Sequence, residues 1–157
     1  MQQTQRDMKE SLSVLIVNIG DQNYAVKAAT IEEIVPMMHI QKFPQAIPFL
    51  EGFVSIRGGL FCIVDLRKRF GGSREHYLIS NRILLVRCQH RKLGFIVDHV
   101  SKMEEWQAED YLSDVLSENP GKFTEEVGLS ASGDIHVLNL CRILTEEERA
   151  RIAEEEL

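Results

Sequence analysis

The sequence lacks three features that define large classes of protein. Its apolar runs, such as residues 60–64, are far shorter than the roughly 20 residues that cross a bilayer as a helix. The polar start at residues 1–7 contains no apolar segment like that of a secretory signal peptide. The formal net charge is −6, whereas nucleic-acid-binding proteins need a positive face to neutralise phosphates. We therefore expect a cytoplasmic globular protein that binds no nucleic acid.

Cysteine is scarce in this chain. Cys62, Cys88 and Cys141 are odd in number and widely spaced, and no CxxC pair occurs. Each lies within an apolar run, which is typical of buried thiols. Because disulfide bonds are rare in reducing compartments, we predict three reduced cysteines that pack in the core.

The sequence contains no convincing set of catalytic residues. Cys88 and His90 stand close together, but a cysteine hydrolase also needs an orienting group and an oxyanion hole. Asp98 and His99 are adjacent, so in a strand their side chains point to opposite faces. The five histidines show no HxH or HxxxH spacing typical of zinc sites. We predict no catalytic activity, metal or cofactor. The alternative from another class is a small hydrolase or metal enzyme that uses Cys88, His90 or His99.

Short β-rich segments separated by turn residues make up most of the chain. Many short strands of this kind are typical of small β-barrels. The pattern predicts strands at residues 12–19, 24–26, 82–88, 92–103, 123–130 and 134–139.

Helical patterns are short. A helix is predicted at residues 28–35, because Ile31, Ile34 and Val35 have helical spacing and a proline follows them. Helical structure is also predicted from residue 140, where a second helix restarts at a capping box that begins with Thr145.

Residues 52–66 carry the most informative pattern, two apolar runs on either side of Gly58-Gly59. This glycine pair tolerates the backbone of a tight hairpin turn, and Arg57 would lie at the tip. A two-residue turn at the glycines sets the pairs on one apolar face: Ile56 opposite Phe61, and Val54 opposite Ile63. An arginine on a rigid hairpin is suited to recognition more than to catalysis.

The same stretch resembles the signature of the CheW family of bacterial chemotaxis adaptors, Gly-x-x-Asn-x-Arg-Gly followed by Pro-x-x-Asp-Leu-Arg. Ser55 replaces the usual asparagine and Cys62 replaces the usual proline. The resemblance extends over about residues 15–144. Six positions match the signature: Gly52, Arg57, Gly58, Asp65, Leu66 and Arg67.

The resemblance implies an all-β fold with short helices. We expect two small five-stranded SH3-like β-barrels packed side by side, with a C-terminal helix. Residues 12–150 would form a single CheW-like domain, with approximate subdomains at 12–80 and 81–144 that exchange segments. Residues 1–11, which are polar, are expected to form a disordered N-terminal tail.

The resemblance also implies a function. Proteins of this family are non-enzymatic scaffolds that couple the cytoplasmic tips of chemoreceptors to a CheA-type histidine kinase, so membrane association would be indirect, through receptors at their arrays. An adaptor of a divergent chemosensory pathway, controlling pili, biofilm or a second messenger, is the alternative within this class.

The expected receptor groove lies between the barrels. Its implied apolar lining is Ile31, Ile34, Val100 and Met103, with Glu33 and Arg57 in rim and orientation roles. Gly52, Gly58, Gly59 and Asp65 are expected to have structural roles in the hairpin and its turns. The apolar residues have an alternative role, which is to cover the protein's own core.

Overall fold

Eleven β-strands dominate the part of the chain that the structure describes. The computed structural model describes residues 11–45, 47–113, 123–129 and 133–155. The predicted all-β class is confirmed. The strands are β1 Leu12–Ile19, β2 Gln22–Lys27, β3 Ile31–Pro36, β4 Leu50–Ile56, β5 Gly59–Asp65, β6 Arg82–Cys88, β7 Arg91–Val97, β8 His99–Trp106, β9 Tyr111–Ser113, β10 Thr124–Gly128 and β11 Ile135–Leu138.

The strands form two sheets. The first sheet has the order β8-β1-β2-β11-β10-β9, and the second has the order β3-β6-β7-β5-β4. The first sheet thus has one strand more than the five expected. The chain leaves the first sheet after β2 and returns to it at β8, so each sheet is built largely from neighbouring strands. Residue 80 lies between β5 and β6, which both belong to the second sheet, so the sheets do not divide the chain there.

The helices are short and lie after strands. Helix α1 covers Leu66–Arg69 and helix α2 covers Glu146–Glu155, while 3₁₀ turns occupy Ala28–Thr30, Ala108–Asp110 and Leu140–Arg142. The predicted capping box is confirmed. The Thr145 amide donates to the Glu148 carboxylate at 2.7 Å, and the Glu148 amide donates to the Thr145 hydroxyl at 3.1 Å.

The helix predicted at residues 28–35 is wrong for most of its length. Only Ala28–Thr30 is helical, as a 3₁₀ turn, and Ile31–Pro36 is strand β3. β3 pairs with β6 in an antiparallel register that shifts between Ile31 and Glu33. The pairing of β3 with β6 overrides the local helical spacing, because isoleucine and valine pack well on a pleated sheet.

The predicted hairpin exists, but its register differs by two residues. Ile56 pairs with Gly59 and Val54 pairs with Phe61, so the turn residues are Arg57 and Gly58. A shift of two residues keeps every side chain on its predicted face. The predicted apolar face is therefore confirmed: Val54, Phe61 and Ile63 are buried in one core cluster, and Ile56 packs against it.

The largest core cluster connects the two sheets. It combines Leu15 and Val26 of the first sheet with Leu84 and Phe95 of the second. Two smaller clusters lie on the other faces of the sheets. The edges of the sheets therefore meet beside a shared apolar core, and this seam is where the candidate site lies.

The prediction of three reduced cysteines is wrong. Cys88, at the end of β6, forms a disulfide bond with Cys141, whereas Cys62 is a buried cysteine outside that bond. The sequence separation of 53 residues concealed the proximity of the pair, because the end of β6 and the segment after β11 meet only in the folded chain.

Two further expectations concern the chain ends and the membrane. Residues 1–10 of the expected disordered tail lie outside the described residues, and Ser11 is exposed. Among the described helices, none has both the length and the apolar character needed to span a bilayer.

Candidate functional site

A shallow groove lies at the seam between the two sheets. Its volume is about 310 Å³. Its lining is mainly apolar, with two carboxylates on one side: Leu15, Ala28, Ile31, Glu32, Glu33, Ile34 and Met103. Three of the four expected apolar residues therefore share one groove, together with the expected Glu33.

A β-bulge places Ile31 and Ile34 on the same face of β3. Ile31 pairs with Val86 and Ile34 pairs with Leu84, with Glu32 as the extra residue between them. Without the bulge, residues three apart in a strand would point to opposite faces. Ile31 packs partly against the large core cluster, whereas Ile34 is 41% exposed.

Met103, on β8, lines the groove from the side of the first sheet. It pairs with Leu15 across β8 and β1, and it is 57% exposed while Leu15 is buried. An exposed methionine beside an exposed isoleucine offers an adaptable apolar surface. Val100 lies on the same strand, but it packs against the large core cluster and does not line the groove.

Glu33 and Arg57 form a two-point ion pair. The Arg57 guanidinium donates to both carboxylate oxygens of Glu33, at 2.5 and 2.8 Å. The hydrogen bonds to Glu33, together with its negative charge, raise the pKa of Arg57. The arginine side chain stays largely exposed, so one face of the pair remains accessible to a partner.

The turn that carries Arg57 has an unusual backbone. Arg57 and Gly58 have φ angles of 50° and 78°, as in the type I′ turns that match the twist of paired strands. Gly58 suits this conformation, whereas arginine rarely adopts it. The turn therefore holds Arg57 at the hairpin tip in a defined position, within reach of β3.

Gly52 has a structural role that its neighbours explain. Its φ angle is 144°, and a Cβ atom there would collide with the backbone carbonyl of Gln41. Gln41 also exchanges two backbone hydrogen bonds with Phe53, at 2.8 and 2.9 Å. Only glycine allows the segment before the hairpin to approach β4 this closely.

Asp65 is fully buried at the end of the hairpin. Its carboxylate caps helix α1 by accepting hydrogen bonds from the amides of Arg67 and Lys68, at 3.0 and 3.4 Å. Its charged partner is Arg74, at 2.7 Å. Both contacts are internal, which fits the structural role expected of Asp65.

Arg74 extends this network towards the first sheet. Its guanidinium also lies 2.7 Å from Asp98, whose carboxylate accepts a hydrogen bond from the Gly20 amide at 2.5 Å. Burial lowers the pKa of Arg74, but its bonds to Asp65 and Asp98 outweigh this effect and raise the pKa overall. The network thus connects the hairpin of the second sheet to the β1–β2 turn of the first.

Sequence reasoning missed several residues of these sites. Leu15 and Ala28 line the groove, but their local sequence gives no sign of it because the groove forms only when β1 meets β3. Arg74 lies in a polar segment of the sequence, yet its side chain is only 4% exposed. Asp65 lies at the end of an apolar run, and a carboxylate that is buried there needs a charged partner, which was the available signal for a residue such as Arg74.

Comparison with known proteins identifies the family. A model of the CheW-like domain matches residues 13–148. The chain belongs to the CheW-like family. It is 27% identical over 145 residues to the chemotaxis protein CheW of Helicobacter pylori, covering 91% of this chain and 87% of that protein. It is 22% identical over 152 residues to CheW of Treponema pallidum, covering 92% and 88%.

The fold of this CheW-like chain also has a solved counterpart. The crystal structure of the scaffolding protein TtCheW from Thermoanaerobacter tengcongensis superposes with a TM-score of 0.77 at 22% identity, covering 88% of this chain and 97% of that one. The predicted family and architecture are therefore confirmed.

The two departures from the CheW signature lie within the hairpin. Ser55 is exposed and faces Leu60. Cys62 is buried and pairs with Phe53 on one side and with Leu93 on the other. A residue with an amide hydrogen suits this central position, where proline would remove a donor.

Proposed function

We propose that this chain is a non-enzymatic chemotaxis adaptor that couples chemoreceptors to a CheA-type histidine kinase. The match of the CheW-like domain model to residues 13–148 carries this proposal. An adaptor needs a rigid body with more than one contact surface. Two sheets that share an apolar core, with the buried Asp65–Arg74–Asp98 network between them, provide such a body.

The seam groove is the proposed receptor site. Ile34 and Met103 expose apolar side chains on its two sides, and Leu15 lies buried between the sheets beneath them. A receptor tip that is a helical hairpin can place an apolar ridge into a groove of this kind. Burial of these side chains would supply most of the affinity.

The Arg57–Glu33 pair is the proposed rim contact. It lies beside the groove, because Glu33 is also one of the lining residues. Charged groups at a rim set orientation and association rate more than total affinity. Arg57 therefore orients the partner. The kinase would contact a surface of the same rigid body outside the groove.

Cys88 and Asp98, two of the residues considered for catalysis, have structural partners. Cys88 is bonded to Cys141 and so offers no free thiol beside His90. Asp98 is engaged by Arg74 and by the Gly20 amide, away from an acid–base role with His99. Within the described ranges, no group of three or more His, Cys, Asp or Glu residues could hold a metal ion. These contacts support an adaptor without catalytic activity.

The proposed location is cytoplasmic, at receptor arrays, because the partners of such an adaptor meet there. The output of the pathway, flagellar or divergent, depends on which receptors and kinase occupy the two surfaces.

The test is a binding assay with the signalling-tip fragment of a receptor and with the regulatory domain of the kinase from the same organism. Wild-type protein should bind both fragments, and together they should form a ternary complex in size-exclusion chromatography. Binding of the receptor fragment should be weakened by Arg57→Ala. If folded wild-type protein binds neither fragment, the proposal is wrong.

A further inference from the structure

The Cys88–Cys141 disulfide joins the end of β6 to the segment that leads into α2. Cys141 lies in the 3₁₀ turn Leu140–Arg142, and its partner is 53 residues earlier in the chain. The C-terminal segment also packs through Ile143 and Ile152, which are buried in the large core cluster with Cys88. One covalent bond and one apolar contact area therefore hold the same segment.

The two sulfur-bearing residues differ in their surroundings. Cys141 is partly buried, whereas Cys88 is only 7% exposed. Cys88 lines a cavity of about 480 Å³. His90 also lines this cavity. Among the described residues that line it, the charged side chains are all basic: Arg91, Lys92 and Arg149. Positive charge near a cysteine stabilises its thiolate form.

We propose that Cys88 and Cys141 form a reversible thiol–disulfide switch that connects the C-terminal segment to the second sheet. In the reducing direction, a thiolate of a dithiol reductant attacks the more accessible Cys141 sulfur. The S–S bond breaks, and Cys88 leaves as a thiolate beside Arg91, its cross-strand partner on β7, and Arg149 before it takes up a proton. The second thiol of the reductant then releases Cys141 as a thiol, and the reductant ends as a disulfide. Two electrons and two protons pass to the protein.

The reverse reaction is exchange with an oxidised disulfide of the glutathione type. The Cys141 thiolate attacks one of its sulfurs and releases one thiolate, and the Cys88 thiolate then attacks the Cys141 sulfur of the mixed disulfide. This closes the Cys88–Cys141 bond and releases the second thiolate. Disulfides in reducing compartments are usually transient or redox-sensing. The biological part of this inference rests on the proposed cytoplasmic location, whereas the chemistry can be tested on the purified chain whatever its partners are.

The first experiment counts thiols. Samples of the full chain are equilibrated with oxidised glutathione or with dithiothreitol under native conditions, quenched in acid, unfolded and alkylated with N-ethylmaleimide. Mass spectrometry should find one adduct in the oxidised sample, at Cys62, and adducts on all three cysteines in the reduced sample. Cys88→Ser should give two adducts after reduction, and after oxidation its Cys141 should carry either an adduct or one glutathione, never an intramolecular disulfide. Three adducts after oxidation, or one adduct after prolonged native reduction, would overturn the switch.

The second experiment tests the roles of the cavity and of the C-terminal segment. Arg91→Gln and Arg149→Gln should slow native reduction severalfold, because a less stabilised thiolate is a poorer leaving group. Lys102→Gln, on β8 outside the cavity lining, is the matched control and should not slow it. Hydrogen exchange in residues 140–152 should accelerate after reduction. Unchanged reduction rates would overturn Cys88 as the leaving thiolate, and unchanged exchange would overturn the connecting role.

Discussion

Arg57, at the tip of the β4–β5 hairpin, makes two hydrogen bonds to Glu33 on β3, at 2.5 and 2.8 Å. β3 and β4 are the two edge strands of the second sheet. The ion pair therefore brings opposite edges of one sheet together, as the closure of a barrel requires. It does so beside the apolar groove, so one pair of residues both closes the sheet and borders the proposed receptor site.

Removing the arginine side chain separates these two roles. Arg57→Ala should leave the melting temperature nearly unchanged, because exposed ion pairs contribute little to stability. It should weaken receptor-fragment binding about tenfold in a calorimetric titration. Exchange of the pair, Glu33→Arg with Arg57→Glu, is the control: it should restore the internal contact but not the binding. A variant that unfolds at ordinary temperature would show that Arg57 is chiefly structural.

The apolar side of the groove predicts a larger effect. Ile34→Glu should abolish measurable binding of the receptor fragment, because it places a charge where a desolvated contact is expected. The matched control is Ile79→Glu, since Ile79 is 95% exposed and is not among the residues that line the groove. Both variants should melt near the wild-type temperature. Equal affinity for Ile34→Glu and Ile79→Glu would place the receptor site elsewhere.

Gly52 and Gly58 should differ in their tolerance of a side chain. Gly52→Ala forces a Cβ atom against the Gln41 backbone and should lower the free energy of unfolding by about 3 kcal/mol or more. A Cβ atom at residue 58 would have no atom within 4 Å. Gly58→Ala should therefore lower the free energy of unfolding only by the cost of a left-handed backbone, about 1–2 kcal/mol. Urea denaturation of the two variants measures the difference, and a smaller loss for Gly52→Ala would contradict the close approach.

The buried network predicts a contrast between two arginines. Arg74→Met leaves Asp65 buried without its charged partner and should destabilise the protein by about 3–5 kcal/mol. Arg87→Met removes an exposed pair with Glu32 and should change stability by less than about 1 kcal/mol. Thermal denaturation of both variants tests this contrast. Similar melting temperatures would mean that the Asp65–Arg74 pair adds little to the stability of the fold.

The period of apolar residues was sufficient to predict much of the second sheet. Strand β6 at 82–88 and the faces of the hairpin follow from the alternation of apolar residues, because every second side chain of a strand points to the same face. Alternation does not fix the turn, since Arg57-Gly58 and Gly58-Gly59 both place two residues between apolar runs. The predicted register was therefore wrong by two residues while the predicted faces were right.

Features that depend on distant contacts could not be read from the sequence. The bulge at Glu32 gives Ile31 and Ile34 a shared face that resembles helical spacing, so β3 was predicted as a helix. The Cys88–Cys141 bond and the Arg74–Asp98 contact join segments that meet only after the sheets pack. The family signature located Arg57 and the wider resemblance located Glu33, but only the folded chain places them in contact.

The most direct test of the adaptor function is a sedimentation assay with receptor-containing membranes and the CheA-type kinase. Kinase should sediment with the membranes far more when wild-type protein is added than when it is absent. The Ile79→Glu variant should match the wild type, and Ile34→Glu should lose the effect. Kinase sedimentation that does not change when the folded wild-type protein is added would contradict the central claim, that this chain couples receptor to kinase.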